Sequence, residues 1–413
     1  MQINRDNAEE RDSCDPLGEF RDEFVLRPGL IYLDGNSLGP MHVSVRERMQ
    51  ACIEDEWAND LIASWNTAGW YDMPLRLGAR IAPLIGADAN DVVVTDSTSI
   101  NLFKVLAAAI RLNPGRKVIV SERSNFPTDL YMVEGLSAFA GKGHELRLID
   151  RPEDVAQAID DSVAVVMLTH VNYRTGRVHD MADITRMAHE AGALVVWDLA
   201  HSTGALPVDL AGADADFAVG CTYKYLNGGP GAPAFVYVAP RLQTVAEQPL
   251  SGWFGHSRPF AFDPSFEPAK TIHRFLTGTP PVLSMTALEP ALAIWDRVDI
   301  AAIRAKSVEL CEYFIALVEQ ECAGFGLELA SPRDSARRGS QVSFRHENAY
   351  AVMQALISRD VVGDFRAPDI MRFGFAPLYI GFVDVFDAVA TLSDILQSNA
   401  WRDDRFQVRS AVT

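Results

Sequence analysis

The chain has 413 residues, 48% of them apolar and 22% charged, which excludes disorder, collagen and coiled coil as its main class. Its net charge of −18 repels phosphate backbones and anionic membranes, so nucleic acid and lipid are not expected partners, although a local basic pocket for a small anion stays open. Cys14, Cys52, Cys221, Cys311 and Cys322 are few, odd in number and widely spread. They read as reduced, partly buried thiols, with no disulfide framework and no metal site.

The first fifteen residues are polar and acidic, without the basic and apolar regions of a signal peptide. The longest apolar runs, such as 105–110 and 163–168, are far too short to span a bilayer. A cytoplasmic protein is expected. Residues 1–59 lack a strand rhythm and carry the Gly-rich turn Asp34-Gly35-Asn36-Ser37-Leu38-Gly39-Pro40. They are read as an N-terminal segment packing on a small lobe.

From residue 92 short β-branched runs alternate with helical patterns. The runs are 92–95, 117–120, 146–149, 163–168, 193–197, 217–220 and 234–238; helices are expected over 101–112, 130–140, 152–159 and 181–191. Continuous apolar strands separated by helices predict an α/β domain with a mainly parallel sheet covered on both faces, over residues 60–280. Residues 281–413 open with long helical patterns (284–298, 300–321) and end in shorter pieces, which predicts a smaller α+β C-terminal domain. The Pro/Gly-rich stretch 278–281 is the expected hinge.

Ligands of such sheets sit at the carboxyl ends of the strands. The 193–197 run delivers Asp198, which alone reads as a capping or turn acid. The 217–220 run delivers Lys224 before a Gly-rich turn, and alone this lysine reads equally as solvated or functional. Together they say more. A desolvated lysine forms Schiff bases, and an opposed carboxylate holds a protonated pyridine nitrogen, the arrangement expected of a pyridoxal phosphate enzyme. The stretch Asp96-Ser97-Thr98-Ser99 before a helix offers donors for a phosphate, or is an ordinary N-cap. Phe126 could cover the pyridine ring or belong to the core, and Thr169 could reach the same cleft.

Several segments resemble the kynureninase family of fold-type-I pyridoxal phosphate enzymes, the bacterial members above all. They are Tyr32-Leu33-Asp34-Gly35-Asn36-Ser37-Leu38-Gly39, Ser124-Asn125-Phe126-Pro127-Thr128-Asp129, Trp197-Asp198-Leu199-Ala200-His201-Ser202, Cys221-Thr222-Tyr223-Lys224-Tyr225-Leu226-Asn227-Gly228-Gly229-Pro230-Gly231, Ser251-Gly252-Trp253-Phe254-Gly255-His256 and Ile370-Met371-Arg372-Phe373-Gly374. The resemblance implies that pyridoxal 5'-phosphate is the cofactor, joined to Lys224, which later moves the α-proton. Asp198 would pair with the pyridine nitrogen and Phe126 stack on the ring, with Asp129, Thr169 and His201 completing the pocket. Thr98, Ser99, Tyr223, Trp253 and Thr279 would contact phosphate and ring, Trp253 coming from the second subunit of a homodimer with shared sites.

Arg372 would grip the substrate α-carboxylate, its fork suiting a bidentate pair, with Ser37 at the substrate mouth. Trp65 and Gly278 would line the substrate ring, and Tyr223 would serve as acid/base in the second half of the reaction. The implied reaction is hydrolysis of L-kynurenine to anthranilate and L-alanine, with 3-hydroxykynurenine a weaker substrate. At Thr279 some members carry Asn, which leaves the ring pocket open. A cysteine desulfurase shares the Asp/His/Lys pattern but needs a nucleophilic cysteine on a mobile loop, whereas Cys311 and Cys322 fall in or at the end of a helical pattern. Two further readings compete: an aminotransferase, and a non-catalytic binding protein that kept the same fold.

Overall fold

A computed structural model of the chain describes residues 4–409. The outermost residues of the segment and the lobe expected at the two ends lie outside that range. Internal contacts divide the chain into two units. The first comprises Met1–Val43, Tyr173–Val178 and Val298–Thr413; the second comprises Ser44–Asn172 and His179–Arg297.

The second unit is built on a seven-stranded sheet. Its spatial order is Val92–Val94, Phe235–Val238, Phe217–Gly220, Leu194–Asp198, Val163–Thr169, Val118–Glu122, Glu145–Ile149. Central strands such as Val163–Thr169 are buried along their whole length, which is why their apolar runs are continuous rather than alternating. The last five strands of that order pair in parallel, joined by helices such as Pro127–Ala140 and Met181–Glu190.

Phe235–Val238 departs from the expected direction, running antiparallel to both of its neighbours. The connection from Gly220 to Phe235 contains no helix, and without a crossover consecutive neighbouring strands pair antiparallel. Val92–Val94, antiparallel in turn to Phe235–Val238, therefore points the same way as the five parallel strands. The helix Met73–Ile81 lies so close to this edge that a Cβ added at Gly78 would sit 2.2 Å from the Val92 carbonyl oxygen.

The boundaries read from sequence at 59/60 and 280/281 both fall inside this second unit. The reason lies in the helix Val282–Ala293, which packs against the helices Val45–Ala51 and Met73–Ile81. Glu289 on it accepts from Arg48 Nε at 2.9 Å and Arg76 Nη2 at 2.9 Å. Residues 278–281 are thus a connection within one unit, and the expected hinge is not a unit boundary.

The first unit joins a four-stranded antiparallel sheet, ordered Asp364–Arg366, Ile370–Gly374, Gln341–Arg345, Glu328–Leu329, to the helices Ile300–Glu321, Ala349–Ile357 and Phe382–Ser398. Phe314, Phe344, Phe373 and Phe375 pack together in its core. Asp12 caps Phe382–Ser398 from the other end of the sequence, accepting from the Phe382 and Val383 amides at 2.6 and 3.0 Å. Ile31–Tyr32 pairs in parallel with Val361–Val362. Tyr173–Val178 is held by Gly339 N donating to Gly176 O at 2.7 Å and Val178 N to Arg337 O at 2.9 Å. Cys14 is exposed and the other four cysteines are buried, more sharply divided than the partly buried set expected.

Candidate active site

Because Val92–Val94 shares the direction of the parallel strands, one edge of the sheet collects the ends of five of them. Thr169 and Asp198 close their strands, and Lys224 follows Phe217–Gly220. Phe126 and Asp129 stand at the start of the helix after Val118–Glu122, while Thr98 and Ser99 open the helix after Val92–Val94.

Lys224 Nζ lies 3.0 Å from His201 Nε2. Asp198 is buried, and its Oδ1 accepts from the Ala200 amide at 2.7 Å. Asp129, also buried, accepts from Thr169 Oγ1 at 3.2 Å. Burial raises the pKa of both acids; the Asp198 charge adds to the rise at Asp129, and the Lys224 ammonium opposes it at both. Two buried carboxyl groups therefore face one lysine. A cationic ring nitrogen beside them would supply the missing positive charge, so the residues present fit a pyridinium cofactor.

Tyr223 is half-buried, with Lys224 Nζ 5.9 Å from its ring centre. Cys221, burial and Asp198 together raise the pKa of its hydroxyl, which therefore keeps its proton and can donate it. The helix Thr98–Leu112 is capped by Ser97, whose Oγ accepts from Ile100 N at 3.4 Å. The first-turn amides of Thr98 and Ser99 and their hydroxyls make this end a fit for phosphate.

Phe126 is 43% exposed, so it is not a core residue. Asn125, not anticipated from sequence, fixes it from beneath. The Asn125 side chain accepts from Phe126 N at 2.8 Å, donates to Ser121 Oγ at 3.2 Å and accepts from Thr169 Oγ1. Its place inside the Ser-Asn-Phe-Pro segment is the signal that could have pointed to it.

Trp253 and Trp65 belong to one aromatic group that meets at Phe254. Trp253 donates from Nε1 to Pro259 O at 2.5 Å, and its ring centre lies 4.7 Å from that of Phe254 and 5.5 Å from that of Phe260. Trp65 is half-buried against Trp70 and Phe254. Gly278 and Thr279 are exposed.

Ser37 and Arg372 belong to the first unit. Arg372 is buried and donates through Nε to Asp364 Oδ1 at 2.9 Å, through Nη2 to Asp364 Oδ2 and to Ser37 Oγ at 2.7 Å, and through Nη1 to Tyr173 O at 2.7 Å. Asp364 thus occupies the Nε–Nη2 edge of the fork. The bidentate face expected to be open is already taken there; Ser37, whose Oγ donates to Asp364 Oδ2 at 2.9 Å, and the Tyr173 carbonyl engage the other end, which leaves one Nη1 N–H beyond these contacts. Asp364 is likewise not evident from sequence, because it meets Arg372 only through the antiparallel register of two short strands.

Residues 75–234 match the family described as Cys/Met metabolism PLP-dependent enzyme. The apo structure of a cysteine desulfurase from Thermococcus onnurineus NA1 superimposes with a TM-score of 0.77 at 19% identity, over 92% of this chain and 98% of that one. A C-DES mutant with glycine covalently linked to its PLP cofactor gives 0.77 at 18% identity, over 91% and 99%. At these identities the likeness is one of fold: the chain has the architecture of the fold-type-I pyridoxal phosphate enzymes.

Residues 303–392 match the Kynureninase C-terminal domain. Curated kynureninases from Burkholderia mallei (strain SAVP1) and Pseudomonas fluorescens are each 57% identical to the chain. The first alignment covers 99% of both chains, the second 97% of this one and 98% of its relative. The chain belongs to the kynureninase family. The geometry also disfavours a desulfurase, which needs its cysteine on a mobile loop, since Cys311 and Cys322 are buried in and at the end of the helix Ile300–Glu321.

Proposed function

We propose that the chain hydrolyses L-kynurenine to anthranilate and L-alanine, and 3-hydroxykynurenine more weakly. The observation that carries this reading is the buried Asp129–Asp198–Lys224 group at one sheet edge, in a chain 57% identical to curated kynureninases over 99% of its length. Bound pyridoxal phosphate supplies an electron sink conjugated with the substrate α-carbon.

Lys224 is assigned to carry the cofactor and, once the substrate amine has displaced it, to move the α-proton. Asp198 keeps the ring nitrogen protonated, with Asp129, Thr169 and His201 around it, Phe126 against the ring and the Thr98–Ser99 helix start on the phosphate. Arg372 and Ser37 are assigned to the α-carboxylate, which would displace the Tyr173 carbonyl and Ser37 contacts from the Nη1–Nη2 end of the guanidinium. Tyr223, whose pKa keeps it protonated, is assigned to hold and return a proton at the γ-carbonyl oxygen. Water oxygen adds to Cγ, the Cβ–Cγ bond breaks, Cγ leaves as the anthranilate carboxylate and Cβ gains the proton that completes the alanine methyl.

A cytoplasmic homodimer belongs to the same reading, with Trp253 reaching the neighbour's phosphate and Thr279 among the phosphate and ring contacts. The exposed cluster of Trp253, Phe260 and Phe262 supports it, since such patches favour burial against another surface. Kynurenine depletion followed with anthranilate fluorescence tests the reaction, and borohydride reduction with peptide mapping tests Lys224. A holoprotein that leaves kynurenine unchanged, or label on another lysine, overturns the corresponding assignment.

A further inference from the structure

The helix Thr98–Leu112 contains a lysine whose side chain is 0% exposed. Lys104 Nζ donates to Asp96 Oδ2 at 2.7 Å and to the Phe275 carbonyl at 2.6 Å. A buried ammonium is costly even when paired, and a methionine would fill much the same volume without a charge. The position of this pair suggests what it does.

Asp96 is the residue before the Ser97 cap, and its φ of +45° lies in the left-handed region that non-glycine residues seldom enter. Its backbone is tied to the sheet edge, with Ala234 N donating to Asp96 O at 2.8 Å. Its carboxylate accepts from Thr95 Oγ1 at 3.0 Å as well as from Lys104. Thr277 Oγ1 lies 3.3 Å from each of its oxygens. Thr277 in turn accepts from Phe254 N at 3.0 Å, and Gly252 approaches so closely that an added Cβ would be 2.3 Å from the Thr277 carbonyl oxygen.

We propose that Lys104, Asp96 and Thr277 are positioning residues that lock the phosphate-binding helix start to the segment carrying Trp253 and Thr279. The lock holds Asp96 left-handed, which sets the direction in which the Thr98 and Ser99 donors leave the strand. It also fixes residues 275–279 and, through Thr277, the Trp253 loop against that same strand end. This inference rests on the assignment of Thr98 and Ser99 to the cofactor phosphate.

The test is cofactor affinity, measured by titrating apoprotein with pyridoxal phosphate and following absorbance, with the 31P resonance of the bound phosphate as a second signal. The charge-balanced double variant Lys104→Met/Asp96→Asn removes the ion pair without stranding either charge, and should raise Kd tenfold or more and shift the 31P resonance. Thr277→Val, close to isosteric, should raise Kd about fivefold, and Thr277→Ser, which keeps the hydroxyl, should restore it to within about twofold. Wild-type affinity in both the double variant and Thr277→Val overturns the proposal. A Thr98→Ala/Ser99→Ala variant tests the underlying assignment. If it weakens binding while the lock variants do not, only the lock is wrong; if it binds as wild type, the phosphate lies elsewhere and both fail.

Discussion

Asp34 makes the sharpest test of the electrostatics in the first unit. It is half-buried, one of its oxygens has no hydrogen-bond partner, and burial and the Asp364 charge push its carboxyl up to about 7 from 3.8. Arg372 and Arg366 oppose the rise, but both are also engaged with Asp364. Asp34→Asn keeps the shape and removes the ionisation.

Between pH 4 and 7 the wild-type folded chain holds a proton at Asp34 that the unfolded chain has lost, so its stability falls as pH rises through this window and levels off above it. At about 1.4 kcal/mol per pH unit, the fall from pH 5 to pH 8 amounts to about 3 kcal/mol. The variant escapes that loss. Urea unfolding of both proteins at pH 5 and pH 8, at one ionic strength, should show the difference in unfolding free energy moving in favour of Asn by about that amount. The same ionisation takes the group Asp34, Asp364, Arg366 and Arg372 from net +1 to neutral, so KM for an anionic substrate should rise above pH 7 in the wild type only. A stability difference that stays flat between the two pH values would refute the reasoning, whatever the kinetics.

Tyr223→Phe should retain most cofactor affinity while slowing anthranilate formation by about two orders of magnitude, as for a lost general acid/base; an unchanged kcat leaves the hydroxyl a structural contact. Lys224→Ala and Trp253→Ala, each inactive alone, should regain activity when mixed under conditions of subunit exchange, and demonstrated exchange without recovery would count against a shared site. The ratio of kcat/KM values should favour L-kynurenine over its 3-hydroxy form by about tenfold, because Trp65 offers the extra hydroxyl mostly an apolar face and Gly278 offers it no side chain; equal values would show that other residues set the preference.

The sheet and its reactive edge were legible because parallel strands buried on both faces leave continuous apolar runs, and the residue after each run has a fixed place. Asp198 and Thr169 follow directly from that rule, while Lys224, four residues beyond its strand, gained meaning only beside Asp198 and the family resemblance. The first unit was not legible in the same way. Tyr173–Val178 joins it through hydrogen bonds to residues far away in sequence, and no local pattern records such a pairing. Lys104 was hidden for another reason, as one charge in an apolar helix reads as solvated. Yet Asn101, Val105 and Ala108 are all buried, and a lysine three residues after one and four before another shares their face, so periodicity contained the signal.

Buried charge also distinguishes scaffold from chemistry within the second unit. Asp216 stands just before Phe217–Gly220, at the amino end of the sheet, with its side chain 1% exposed. It accepts from Val195 N at 2.7 Å and Arg241 Nη2 at 2.8 Å, and lies 2.9 Å from His189 Nε2, whose pKa the contact raises. That charge is fully answered by the protein and needs nothing further. At the opposite end Asp129 and Asp198 share one lysine, and the pKa of each is pushed upward. The contrast supports the proposed reading, in which the second end receives a cation that the fold does not itself supply. On the proposed assignment that cation is the protonated ring nitrogen of pyridoxal phosphate, and neutralising either acid by substitution should weaken cofactor binding more than neutralising Asp216 does.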